Sequence, residues 1–436
     1  MNKYCLSALV AAGLLAGGLT TRSASAADLG GDCCADLEER VAELEATTAR
    51  KGNRKVSLTI TGFVNEQVMY WDDGIEQNVY QIGGGSTGLA SNVKFTGTAQ
   101  IVPGWTAGYL LHMELETANS LGVNANQDDV GSLNNGTKGF TSDVSVMQSY
   151  WFLKSDTYGK LSVGQLSQAT DNTAILVDGS GSLVQANWVA YEANSFAVRR
   201  TDRAASGLVW GNAGSCRGMG GAFGDCNGVP SNGVRYDSPT FSGFSVSASW
   251  GEDDFWGVSG RWAGEISEFK IAAAAGYNES NEHFGISGFP NGGVGNNTLN
   301  YFQAGVYVQH IPTGLFVLYN YGNLSEDRDS DNGRNPPPDA DTHFVKAGIR
   351  TLITPLGHTV FYGEYLNTND GSTLINGAGG SPTSSELQRY GGGIVQEIDA
   401  ASMSVYIKYR KHTYDDNTAI SYEDFDYVSA GALINF

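Results

Sequence analysis

The chain has little of what would kink it, charge it positively or bridge it. Proline stands at 10 of 436 residues, and 26 basic residues face 46 acidic ones. So little proline leaves long backbone ladders uninterrupted. A formal net charge of −20 excludes the positive surface that nucleic acid requires. Beyond the first residues no apolar run is long enough to cross a membrane as a helix, since each is broken by a polar residue within a few positions. There is no His-Glu-x-x-His motif and no Walker loop. The six histidines are scattered, and no metal or other cofactor is implied. In excess are glycine, at 58 residues, and aromatics, at 11 %. That pairing, in short alternating segments, marks an all-β chain.

The first segment reads as an export leader. Lys3 gives a positive start, Leu6 to Leu19 an apolar stretch, and Ala24-Ser25-Ala26 a small-residue cleavage site. Residues 1–26 are thus expected to be removed, leaving Ala27 first. Losing Lys3 and Arg22 leaves 24 basic residues against 46 acidic ones, a net −22. Cys5 leaves as well. In an oxidising compartment Cys216 and Cys226 read as a disulfide closing a glycine-rich loop; the metal alternative lacks a second Cys pair or a histidine at ligand spacing.

Residues 27–55 form a stub. Leu37, Val41 and Leu44 are spaced four and three apart with charges between them, a helical seam. Fewer than three heptads cannot hold a lone helix, but three copies beneath a trimer would gain effective concentration. Two readings stand for the stub, a trimeric coiled coil or a frayed spacer. Two also stand for Cys33 and Cys34, interchain crosslinks or free thiols.

From Val56 the period falls to two, with Val56, Leu58 and Ile60 alternating with Ser57, Thr59 and Thr61. That is a strand with one apolar face. Fifteen more follow: 89–101, 105–117, 143–154, 160–167, 232–238, 243–250, 255–263, 267–278, 299–310, 313–323, 342–353, 358–368, 387–397, 401–412 and 422–436. The connections alternate short and long, as around Val102-Pro103-Gly104 and from Ser325 to Thr342. This predicts a sixteen-stranded antiparallel transmembrane β-barrel over 56–436, with short periplasmic turns, long outer loops, a lipid-facing apolar face and a polar lumen. Sixteen strands in one ring leave a lumen too wide for strand side chains alone to fill. Two features resist this frame. Glu66 falls on the apolar face of the first strand, either at a subunit interface or beside a register-shifting bulge. Gln168 to Asn232 contains no readable strand.

Asn232 to Trp250 (NGVRYDSPTFSGFSVSASW) resembles the hairpin of Gram-negative general porins. Ser149 to Asn172 (SYWFLKSDTYGKLSVGQLSQATDN) is similar to their strand feeding the third outer loop. Phe436, with Ile434, Ala432, Ala430 and Val428 on its face, is similar to their C-terminal assembly signal. The Cys33-Cys34 helical prefix, followed by Asn65 to Trp71, is closer still to porins of rhizobial and related alphaproteobacteria. The resemblance implies a homotrimer in the outer membrane, seated in lipid and lipopolysaccharide and inserted by the assembly machinery. It further implies a third loop, 168–206, folded inward as a constriction, through which small hydrophilic solutes and ions diffuse.

The candidate constriction residues follow from loop position and strand parity. Asp171, Asp178 and Glu192 are the loop's acids, and Arg199, Arg200 and Arg203 its basic end. Lys94, Arg235, Arg261, Lys346, Arg350, Arg389, Lys408 and Arg410 fall on lumen-side positions, with Glu114 and Glu116 as opposing acids. Acids and guanidinium groups facing each other across the eyelet would set a transverse field; the bland reading is a solvated wall. Acidic mouths favour cations and a basic wall opposes them, so the sign of selectivity stays open. The alternative function is a tether: Ala27-Asp28 is similar to the start of barrel proteins joined to peptidoglycan in this bacterial group.

Overall fold

The computed structural model describes residues 56–85, 89–116, 120–126, 143–214, 226, 230–252, 254–280, 298–327, 338–372 and 382–436. The leader, the helical seam, Cys33, Cys34 and Ala27 lie outside the described residues.

Seventeen strand segments form one sheet that closes on itself. They are β1 (Ser57–Asp72), β2 (Gln77–Gly83), β3 (Asn92–Val102), β4 (Trp105–Glu116), β5 (Asp143–Ser155) and β6 (Gly159–Leu166). Next come β7 (Ser231–Asp237), β8 (Phe244–Gly251), β9 (Trp256–Ile266), β10 (Phe269–Ser280), β11 (Thr298–His310) and β12 (Leu315–Asp327). The last are β13 (Ala340–Thr354), β14 (Gly357–Asn369), β15 (Ser385–Ile398), β16 (Met403–Asp416) and β17 (Phe425–Asn435). β1 pairs with β2 along its second half and with β3 along its first half. β2 and β3 are therefore two halves of one stave, and the barrel has sixteen. Every described pairing is antiparallel, and β17 returns to β1, Phe63 opposite Asn435 and Asp72 opposite Asp426. Closure leaves no free edge, as a lipid-embedded sheet requires.

The alternation was readable because one face meets lipid. Val64, Val68 and Tyr70 of β1 are exposed outward, as are Val405, Ile407 and Tyr409 of β16 and Leu315, Val317 and Tyr319 of β12. Outward aromatics gather near both ends of the barrel. Trp105, Tyr158, Phe241 and Phe269 stand beside short turns, and Trp250 and Trp256 flank the turn at the opposite end of β8–β9. Such girdles sit at the two lipid–water boundaries. No helix among the described residues is long and apolar enough to cross a membrane; the crossing is by strands.

The opposite face departs from expectation. The lumen side is not uniformly polar. Tyr307, Phe316, Leu318, Phe344, Val360, Tyr362, Leu366, Leu387, Val395, Tyr406, Phe425 and Tyr427 are all buried there, in one cluster with the inward segment described next. Strands that meet lipid outside and this core inside are apolar on both faces. Glu66 is also settled in part. Pairing of β1 with β17 runs unbroken from Phe63 to Asp72, so no bulge shifts its register. Glu66 is on the lipid side, accepting hydrogen bonds from Gln81 at 3.1 Å and Ser91 at 3.2 Å.

Candidate functional site

Between β6 and β7 the chain turns into the barrel. Its first turn, Ser167–Ala174, lies against the small residues of β8 to β11. The Ser249 hydroxyl accepts from the Ala169 N–H at 2.9 Å, while Ser259 donates to the Ala169 carbonyl at 2.7 Å. Gln303 donates to the Thr170 carbonyl and accepts from the Ala174 N–H, at 2.9 and 2.8 Å. This close approach needs glycine in the wall, for a Cβ on Gly305 would stand 2.1 Å from the Ala174 carbonyl oxygen.

The loop then crosses β12 to β17 as a packed layer. Trp188, Val189, Tyr191 and Phe196 are buried against the wall residues named above. Phe196 meets Trp71 and Phe425 at ring-centroid distances of 4.9 and 4.7 Å. The layer is bolted by charge. Lys346 donates to Asp178 at 2.5 Å, to Ser182 at 3.0 Å and to the Ala186 carbonyl at 2.8 Å. Arg389 donates to the carbonyls of Asn187, Trp188 and Val189 at 2.5, 3.2 and 3.1 Å. Glu192 is held by Lys408, by Gln67 at 2.9 Å and by the Tyr427 hydroxyl at 2.9 Å, with Arg410 at 3.8 Å. Arg410 also pairs with Glu364. Burial alone would push the Glu192 carboxyl up; Lys408 and Arg410 outweigh it and hold the carboxyl at about 2.

The expected transverse field needs correcting here. Asp178 and Glu192 do not face the wall cations across open water. They touch them, and the side chains of Asp178, Glu192, Lys346, Lys408 and Arg410 are at most 2 % exposed. The loop residues between Asp171 and Glu192 that are not buried are Asn172, Leu176, Gly179, Gly181, Leu183 and Val184, none of them charged. Asp171 is buried, accepting from Ser167 and from Asn172 at 2.6 Å. Burial raises its carboxyl to about 6 against the smaller opposing pull of Ser167, Arg235 and Arg261.

The loop's basic end leaves the narrow region. Arg199 reaches Asp73 at 2.7 Å and Glu76 at 3.7 Å, in the turn joining β1 to β2. Arg200 pairs with Asp202, and Arg203 is exposed at a left-handed turn position, φ 64°. Backbone hydrogen bonds tie this segment to Ser421 and Glu423, in the loop between β16 and β17. Arg199, Arg200 and Arg203 thus belong to the rim at the long-loop end, not to the constriction. Cys226 is disulfide-bonded and buried against Leu299, Tyr301 and Leu324; Cys216, its expected partner, lies outside the described residues.

The opposite wall keeps its polar groups. Lys94, His112 and Glu114 are buried together on β3 and β4, His112 3.8 Å from Glu114. The side chain of Glu116 lies outside the described residues. Arg235 donates to Asp237 at 2.9 Å and to the carbonyls of Ser167 and Gln168 at 3.0 Å, fixing the point where the loop enters. Arg261 is partly exposed on β9. Arg350 pairs with Glu397 at 2.6 Å, against the loop at Gly181. A cavity of about 590 Å³ opens at the short-turn end between β5, β6 and β7.

Sequence reasoning named the wall cations from parity. It missed Gln67, Tyr427 and the apolar layer, whose side chains carry no charge signal and whose loop has no period.

The sequence profile of the Gram-negative porin family matches residues 8–432. No curated protein sequence matches the chain. Among solved structures, an anion-selective porin from Comamonas acidovorans is similar at a TM-score of 0.55 and 14% identity, covering 87% of this chain and 100% of that one. The outer-membrane channel DcaP of Acinetobacter baumannii is similar at 0.50 and 9% identity, covering 88% and 99%. OmpF of Salmonella typhi, solved with daunomycin, is similar at 0.50 and 13%, covering 88% and 99%. At such identities the likeness is one of fold. Profile and barrel together make this chain a Gram-negative porin, an outer-membrane channel for passive diffusion.

Proposed function

We propose that this porin is a homotrimer passing small hydrophilic solutes and ions through an eyelet walled by β3 to β9 on one side and by the neutral face of the inward loop on the other. The carrying observation is that Asp178 and Glu192 are spent on wall contacts, while Lys94 and the partly exposed Arg261 stand on strands outside the packed layer and Arg235 holds the loop where it enters. In this reading the loop acids are anchors and the β3–β9 cations shape passage.

Glu66 supports the trimer. A carboxyl on a lipid-facing strand is costly, and Glu66 with Gln81 makes a polar patch flanked by the small residues Gly431, Ala430 and Ala432 on the paired strand. A neighbouring subunit would remove that patch from lipid. The helical seam at residues 37–44 would sit below the same axis, after a leader at 1–26 and within a stub at 27–55. The Cys33-Cys34 prefix supports a place among rhizobial and related alphaproteobacterial porins.

Single-channel recording in a planar bilayer under a salt gradient tests the reading. Conductance is expected in steps of three, with a reversal potential that follows the β3–β9 cations. Folded protein without any conductance overturns it.

A further inference from the structure

Lys154 of β5 and Lys160 of β6 are directly opposite each other on neighbouring strands and share the lumen face. Like charges in that relation repel and destabilise a sheet. The neighbouring acids form no ion pair with them. Asp237 is opposite Lys160 in register, yet its Oδ1 accepts from Arg235 at 2.9 Å and from Ser247 at 2.7 Å. Asp156 is exposed in the turn between the two strands. The Lys160 ammonium instead stands over the rings of Tyr150 and Phe152, 5.3 and 4.9 Å from their centroids. Among the described residues no hydrogen bond or ion pair engages either lysine.

Lys154, Lys160, Tyr150, Asp156, Arg235 and Asp237 line the cavity of about 590 Å³ at the short-turn end. A second, independent feature points into it. Ser162, two residues along β6 from Lys160 on the same face, is 2 % exposed, and its hydroxyl has no hydrogen-bond partner. A buried hydroxyl left unpaired is a cost that a ligand acceptor would remove. Two ammonium groups, a free hydroxyl donor and the nearby Arg235 guanidinium match the oxygens of a small multivalent oxyanion.

We propose that this cavity is a binding subsite for a small oxyanion such as inorganic phosphate, at the periplasmic mouth of the channel. The subsite gives the diffusing solute a class, and so rests on the porin reading. Its position below an acidic chain makes it one-sided. Anions approaching from the outer loops meet repulsion, whereas those on the periplasmic side meet the lysines directly. The lysines lie on the face opposite Trp151 and Leu161, which are exposed to lipid, so the oxyanion is a free solute and not a lipid headgroup.

Calorimetric titration of inorganic phosphate into detergent-solubilised protein reads the site without relying on current. Wild type is expected to bind, and K154Q/K160Q to bind about tenfold more weakly, which is about 1.4 kcal/mol. K154R/K160R, which keeps both charges, is expected to retain binding and so separates charge from folding. Equal binding by wild type and K154Q/K160Q, or none by wild type, overturns the subsite. In recordings, phosphate added on the periplasmic side is expected to reduce chloride current more than the same addition outside. Symmetrical reduction also overturns it. Absent conductance with intact phosphate binding would count against the porin reading alone.

Discussion

Two stretches of the same barrel wall have been put to opposite uses. From β11 round to β1 the lumen face is covered by the inward loop, and its cations are buried in contact with carboxylates and carbonyls. From β3 to β7 the lumen face is uncovered at its short-turn end, and Lys154 and Lys160 lie in an open cavity. Strand period and inward parity are the same in both. What differs is whether a second layer arrives, and that decides whether a lysine is a bolt or a lure. In the covered half a charge is worth its whole desolvation, because removing one partner strands the other. In the uncovered half water stands in for any partner removed.

The largest effect should follow from Glu192→Ala. It leaves Lys408 facing only backbone and Arg410 with Glu364 as its one carboxylate, and is expected to cost about 3–5 kcal/mol. A lower temperature for loss of the folded band on a heat-modifiability gel would show it, with larger or noisier unit conductance as the loop loosens. An unchanged gel and unchanged conductance would erase the distinction between the halves.

Next come two aromatics. Trp188→Ala, in the covered half, should cost about 3–5 kcal/mol. Tyr150→Ala, in the uncovered half, should cost about 1 kcal/mol or less. Equal losses in denaturant titrations would mean the inward layer is not a core.

The pH response sharpens the comparison within the loop. Glu192 is held below its ordinary value of 4.5. The folded form therefore binds its proton less readily than the unfolded chain does. The stability it contributes is present above pH 4.5 and is lost as pH falls toward about 2. Asp171 is raised from 3.8 to about 6, so its sign is reversed. Its contribution is present below 3.8 and is lost as pH rises through about 6. Acid unfolding of Asp171→Asn should lack the second limb, while Glu192→Gln should lack the first. The smallest effect belongs to Lys154→Gln, within about 0.5 kcal/mol in stability though it alters anion passage.

The staves were legible because lipid imposes a strict period on the outer face. The wall cations were legible because parity carries over to the inner one. β2 escaped notice because Val79 faces lipid while Tyr80 and Ile82 face the packed layer, and a strand apolar on both sides has no alternation. Two of the loop's acids, expected to oppose the wall cations, touch them. Nothing in the order of residues distinguishes a carboxylate facing a lysine across a gap from one touching it. Trp188, Tyr191 and Phe196 looked like an irregular outer loop because a layer shaped to fit a curved wall needs no period of its own.

The seam between β1 and β17 has a consequence for how the molecule is made. Gly62 and Phe436 exchange backbone hydrogen bonds in both directions, each at 3.0 Å, so the first stave is joined by a residue far along the chain. Contacts so distant in sequence carry the heaviest loop-closure cost and form late. Until that pairing forms, the sheet is open with two unpaired margins, vulnerable to the wrong neighbour. The Gly62–Phe436 pair therefore acts as a latch that shuts the ring.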